Sequence, residues 1–178
     1  TGIPAVSTAP FALSEAGKCA SCHIKDYICR MTRIVRMNGN VYDPLRRKEV
    51  PRTPEEEVRQ WFIGLLHESA GVPMHQMMSE VSLEYGSGKQ WRADLVIYGK
   101  GACPIGIVEC KRPDVELGKE VLEQALRYNL VLGVPFLFLT NGRSTFVCRK
   151  KEQEGTDVSY ELLPSFPLYE EMLIQCQR

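Results

Sequence analysis

The sequence has no run of roughly 18 or more apolar residues, so it holds no candidate for a membrane-crossing helix. The P-loop signature G-x-x-x-x-G-K-[ST] is missing, which excludes a nucleotide-driven motor within these residues. No clear signal peptide precedes the body of the chain, whose first residue is Thr1; the expectation is a cytoplasmic protein with a trimmed start. Net charge is also lacking: 22 Lys and Arg are matched by 22 Asp and Glu, so there is no global pull towards DNA. Seven cysteines, an odd number, read as free thiols that serve mostly as small buried hydrophobes. What is present is a 178-residue chain with 44% apolar content, enough for one domain with a proper core.

Charge that cancels overall is unevenly placed. Residues 30–52 hold Arg30, Arg33, Arg36, Arg46, Arg47, Lys48 and Arg52 against only Asp43 and Glu49, whereas residues 152–178 hold six acids against Arg178. A basic cluster can track a phosphate backbone. A solvated charged face explains such a run about equally well. Arg46, Arg47, Lys48 and Arg52 are therefore carried forward as candidate nucleic-acid contacts.

Residues 1–26 are expected to form a flexible arm, small and polar at first and containing Pro4 and Pro10. Within it, Cys19-Ala-Ser-Cys22-His23, followed by Cys29, is half of a zinc-binding pattern and formally a haem-attachment pattern. Haem attachment would need export, and adjacent Cys22 and His23 make a cramped chelate, so thiols placed by chance are favoured over a zinc module. The main folded body is expected at 27–150. It opens with a small hairpin at 27–45, in which 27–37 turns at Asn38-Gly39 into 40–43. An acidic extension follows at 151–178.

The first helix is well marked. Thr53 suits an N-cap, Pro54 the first helical position, and Glu56 completes a Thr-x-x-Glu capping box. Val58, Phe62, Leu65 and Leu66 give an apolar stripe, and Gly71 and Pro73 stop it. Three strands then follow with short turns: Met78–Tyr85, Gln90–Tyr98 and Pro104–Lys111. A second helix is expected over 117–132, a buried strand at Val134–Thr140 reached by a parallel crossover, a strand at Ser144–Arg149, and a short helix at 168–176. The fold class implied is α/β: a mixed sheet, antiparallel meander plus one parallel crossover strand, flanked by helices.

The chemistry concentrates between Arg92 and Lys111. Asp94 lies in one apolar strand, and Glu109-Cys110-Lys111 ends the next, directly after Ile105-Gly106-Ile107-Val108. Alternation along a strand puts Glu109 and Lys111 on one face, roughly 6.5–7 Å apart. Antiparallel pairing would bring Asp94 beside Glu109. Two carboxylates suit a hard divalent cation such as Mg²⁺, and the lysine can stabilise developing negative charge. A Glu-x-Lys pair is usually a solvated surface pair worth ~0–1 kcal/mol, but the apolar runs after Asp94 (Leu95-Val96-Ile97) and before Glu109 indicate a sheet covered on both faces.

Asp, then Glu-x-Lys on adjoining strands, resembles the PD-(D/E)xK nuclease superfamily. More closely, PEEEVRQ (54–60), RADLVIY (92–98), GIVECKRPD (106–114), EQALRYN (123–129) and FLTNG (138–142), in this order, resemble the N-terminal nuclease domain of type I restriction enzyme R subunits. The resemblance covers roughly 40 to 150. It implies a restriction-endonuclease-like core and a metal-dependent DNA endonuclease, with DNA and other restriction–modification subunits as partners. Mg²⁺ would be the cofactor, with Mn²⁺ able to substitute. It further implies that Asp94, Glu109 and the carbonyl of Cys110 hold the metal and that Lys111 orients water or stabilises the transition state. Glu56 is the helix acid expected to face the site, and Gln124 and Tyr128, four apart on the second helix, help to position metal, water or nucleic acid. The alternative of a different class is an inactive nuclease fold that only binds nucleic acid.

Overall fold

The computed structural model describes residues 39–85, 89–151 and 159–175. The expected arm, the Cys19/Cys22/His23/Cys29 cluster and the 27–37 half of the first hairpin lie outside these residues.

Residues 40–43 do form a strand, β1 (Asn40–Asp43), but its partner is β2 (Lys48–Pro51), a segment the sequence reading passed over. The turn between them is built on Asp43. Its Oδ1 accepts from the backbone N–H groups of Leu45 (2.8 Å) and Arg46 (2.9 Å), an aspartate-closed turn. Val41 and Val50 are buried between this ribbon and the rest.

Helix α1 (Pro54–Glu68) begins as its residues dictate: the Thr53 side chain accepts from the Glu56 N–H at 3.1 Å, and Pro54 needs no partner for a missing donor. The capping box is only half made. The Glu56 carboxylate is used elsewhere, and the Thr53 N–H donates to the Pro51 carbonyl. The apolar stripe of α1, with Val58, Phe62, Ile63 and Leu66, packs on one face of the sheet, against Leu95, Ile97, Val108, Cys110 and Phe138. Phe62, Phe138 and Phe166 meet edge-on or tilted at 5.4–6.2 Å, the arrangement that aromatic quadrupoles favour.

Among the described residues the sheet has six strands in the order of the chain: β3 (Met77–Tyr85), β4 (Lys89–Tyr98), β5 (Pro104–Cys110), β6 (Phe136–Thr140), β7 (Thr145–Lys150) and β8 (Tyr160–Leu162). All neighbours are antiparallel except β5 and β6, which run parallel because helix α2 (Lys119–Leu132) crosses between them. This is the expected mixed α/β architecture, within a residue or two at most boundaries. Val96, Ile107 and Leu137 form the other face of the sheet and pack with Leu122 and Leu126 of α2. Gly106 allows the sheet to close tightly: a Cβ there would stand 3.2 Å from the Phe138 ring and 3.3 Å from Ile97 Cδ1.

Within the segment read as an acidic extension, β8 pairs with β7, and helix α3 (Tyr169–Gln175) contributes Tyr169 and Met172 to the core. The core thus reaches well past Lys150. Among the described residues no helix is long and apolar enough to cross a membrane.

Candidate metal and catalytic site

The site grows out of strand register. The β4–β5 ladder runs to Leu95 opposite Val108, and the next step sets Asp94 opposite Glu109. Directly opposed antiparallel residues hold their Cβ atoms roughly 4.5–5.5 Å apart. On the other side, the β3–β4 ladder pairs Ser79 with Leu95 and Val81 with Ala93, which places Glu80 opposite Asp94. Three carboxyl residues, Glu80, Asp94 and Glu109, therefore lie in one row across three strands.

Asp94 is fixed by two donors. The Cys110 N–H reaches Oδ2 at 2.7 Å, and Arg59 Nη2 reaches Oδ1 at 2.6 Å from α1. Glu109 is 2% exposed, and its Oε1 accepts from Lys111 Nζ at 2.7 Å. Its Oε2 is buried with no hydrogen-bond partner. Burial, then the nearby charge of Asp94, raises the Glu109 carboxyl to about 7, even though the Lys111 hydrogen bond and charge oppose this. Lys111 also donates to Gln124 Oε1 at 3.0 Å. Burial would lower the lysine, but the hydrogen bond and charge of Glu109 outweigh it, so its ammonium form is strengthened.

The structure thus brings Asp94, Glu109, Lys111 and Gln124 together, with the Cys110 backbone beside them. The Cys110 thiol points into the core and is raised far above the usual thiol range by complete burial. Tyr128 lies on α2 one turn after Gln124, and its side chain falls outside the described residues. Glu56 touches the site through Arg59, which also holds Asp94. Its Oε1 accepts from Arg46 Nη2 (2.9 Å) and Gln60 Nε2 (2.7 Å), and its Oε2 pairs with Arg59 Nη1. Glu55, its half-exposed neighbour, is the helix acid that senses the site: burial, then the charge of Asp94, raises it, while Lys111 and Arg59 lower it.

Of the basic candidates, Arg46 is committed to ion pairs with Asp43 (2.5 Å) and Glu56 (2.9 Å), and Arg52 pairs with Glu57. Arg47 and Lys48 are exposed. The residues that the sequence reading missed are Arg59, Glu80 and Glu55. Arg59 and Glu55 stand four apart in PEEEVRQ, a spacing that shares a helix face, and that was the available signal. Glu80 had none.

Fit to a divalent ion can be tested on these atoms. Among the described residues, no cluster of three or more His, Cys, Asp or Glu side chains has metal-holding geometry. Asp94 and Glu109 do lie close enough for the charge of one to raise the carboxyl of the other. The orphaned Glu109 Oε2 lacks a partner that a cation would supply, and an all-oxygen donor set of carboxylates and carbonyl suits Mg²⁺, which keeps several waters of its own. The residues present fit the ion.

A mixed sheet between helices, ending in paired acids and a lysine, defines the class: a restriction-endonuclease-like α/β domain. The comparisons then place the chain. It belongs to the family described as type I restriction enzyme R protein N terminus, which matches residues 54–167. The type I restriction enzyme EcoAI endonuclease subunit of Escherichia coli is 34% identical over 76 residues, 42% of this chain and 9% of that protein. The chain therefore spans a small part of the length of the curated relative it matches. The fragment structure of a putative HsdR subunit of a type I restriction enzyme from Vibrio vulnificus is similar in fold, with a TM-score of 0.50 and 21% identity. That match covers 68% of this chain and 25% of the other.

Proposed function

We propose that this chain is a metal-dependent DNA endonuclease domain that hydrolyses phosphodiester bonds as part of a type I restriction system. The observation that carries the reading is Glu109: a buried carboxylate with one oxygen on Lys111 and the other unpartnered, opposite Asp94. Family membership supports DNA as substrate and other restriction–modification subunits as partners, working in the cytoplasm.

Asp94, Glu109 and the Cys110 carbonyl would hold Mg²⁺, with Mn²⁺ able to replace it. When bound, the ion supplies Lewis acidity and a more acidic bound water. The chain's own groups do the rest. The Cys110 N–H and Arg59 keep Asp94 in one orientation, so little is reorganised when substrate arrives. Lys111, held between Glu109 and Gln124, presents a fixed ammonium to the attacking water or to charge developing on the phosphate. Exposed Arg47 and Lys48 are candidates for contacts to phosphates, which position a duplex without reading its bases.

Supercoiled plasmid incubated with Mg²⁺ or Mn²⁺ should be nicked, and EDTA should spare it. Asp94→Ala should remove the nicking. Cleavage that survives both EDTA and this substitution would refute the reading.

A further inference from the structure

The resemblance leaves open whether one or two metal ions serve the site, and Arg59 bears on the question. Arg59 is 4% exposed, and its guanidinium lies within a cage of acids. Nη1 meets Glu80 Oε1 at 2.7 Å and also pairs with Glu56, while Nη2 meets Asp94 Oδ1 at 2.6 Å and approaches Glu55 at 3.9 Å. Its Nε is buried without a partner, so the group is oriented by charge and not by a complete hydrogen-bond set. Glu80 is held in this cage with φ of 57°, a left-handed conformation that is unusual for a residue inside a strand and that costs free energy. Its other oxygen meets Arg92 Nε at 2.5 Å.

Asp43, Glu55, Glu56, Glu80, Asp94 and Glu109 face Arg46, Arg59, Arg92 and Lys111, six acids against four cations among the described residues. One divalent ion cancels the difference; two would overshoot it.

We propose that Arg59 is a positioning residue that stands in for a second metal ion, so that the site takes a single divalent cation at Asp94 and Glu109. This rests on the nuclease reading above. The planar fork matters, because one nitrogen serves Glu56 and Glu80 while the other turns the Asp94 carboxylate; a lysine ammonium cannot span both.

The test is Mn²⁺ titration of the intact chain, followed by electron paramagnetic resonance for stoichiometry and spin coupling and by calorimetry for affinity. Wild type should bind one uncoupled Mn²⁺, lost in Asp94→Asn. Arg59→Gln, with its circular dichroism checked, should bind two. Arg59→Lys keeps the charge and should stay at one ion with about tenfold weaker affinity, the lower end of what is typical when a group that orients a ligand is changed; this variant carries the test if the glutamine variant does not fold. Two coupled ions in wild type, one ion in a folded Arg59→Gln, or wild-type affinity in Arg59→Lys would overturn the proposal and leave the nuclease reading standing. No Mn²⁺ bound by wild type would overturn both.

Discussion

Asp94 and Glu109 are two buried acids, opposite each other on adjacent strands, yet their surroundings differ in kind. Asp94 has both oxygens engaged, by the Arg59 guanidinium and the Cys110 N–H. Glu109 has one oxygen on Lys111 and one without a partner. A buried carboxylate normally finds partners for its lone pairs, and an unpaired one is costly. The difference teaches that the protein completes one acid by itself and leaves one oxygen of the other without a protein partner, the point at which we propose that the cation binds.

That asymmetry can be broken in order of expected effect. Lys111→Ala should lower nicking by at least ~100-fold, the scale for losing one preorganised charge donor, with circular dichroism unchanged; a plasmid assay reads it. Glu109→Gln should also abolish Mg²⁺-dependent nicking, but with a second signature. A free glutamate titrates near ~4.3, and in this fold burial and Asp94 push Glu109 up to about 7. Between those values the native state binds more protons than the unfolded one, so this group lowers stability as pH rises through the window. Without divalent ions, wild type should therefore melt at lower temperature at pH 7.5 than at pH 5. Glu109→Gln should flatten that slope, and saturating Mg²⁺ should flatten it as well. Each kcal/mol is worth roughly 2–4 °C in Tm for a chain of this size, so differential scanning calorimetry resolves it.

Asp43 sharpens the comparison, being an acid completed entirely by the protein. It is fully buried and accepts from Leu45, Arg46 and Ser79. Burial would raise it, but the Arg46 backbone and side-chain hydrogen bonds prevail and hold it below the usual carboxylate range. Its contribution is present above the unfolded value and lost as pH falls through the lowered one, opposite in sign to Glu109. Asp43→Ala should cost about 1–3 kcal/mol, the range for stranding buried donors, and metal should not restore it. At the small end, Arg112→Ala removes an exposed pair with Asp114 directly after the strand and should leave Tm unchanged.

Much of this was legible in the chain itself. The apolar run after Asp94 and the one before Glu109, with strict alternation, put both acids and Lys111 at one sheet end, and the family resemblance pointed to Gln124. The parallel crossover followed from a helix lying between two apolar strands. The rest depends on tertiary meetings that no local pattern encodes. Arg59 faces Glu80 and Asp94 only because α1 lies over the mouth of β3 and β4. The left-handed backbone of Glu80 breaks a local rule that a sequence reading must assume. β2 is four residues with two charges and a proline, and it is a strand because Asp43 turns the chain back onto β1. Glu56 reads naturally as a cap, but Arg46, Arg59 and Gln60 compete for its carboxylate and win.

Glu109 Oε2 is the atom on which the metal site depends. A crystal soaked in Mn²⁺ and measured at the manganese absorption edge addresses it directly. The account predicts a single anomalous peak bonded to Glu109 Oε2 and to an Asp94 oxygen at roughly 2.0–2.3 Å, slightly longer than the 2.0–2.1 Å typical of Mg²⁺. No peak there, with Glu109 Oε2 capped by a protein group instead, would contradict it.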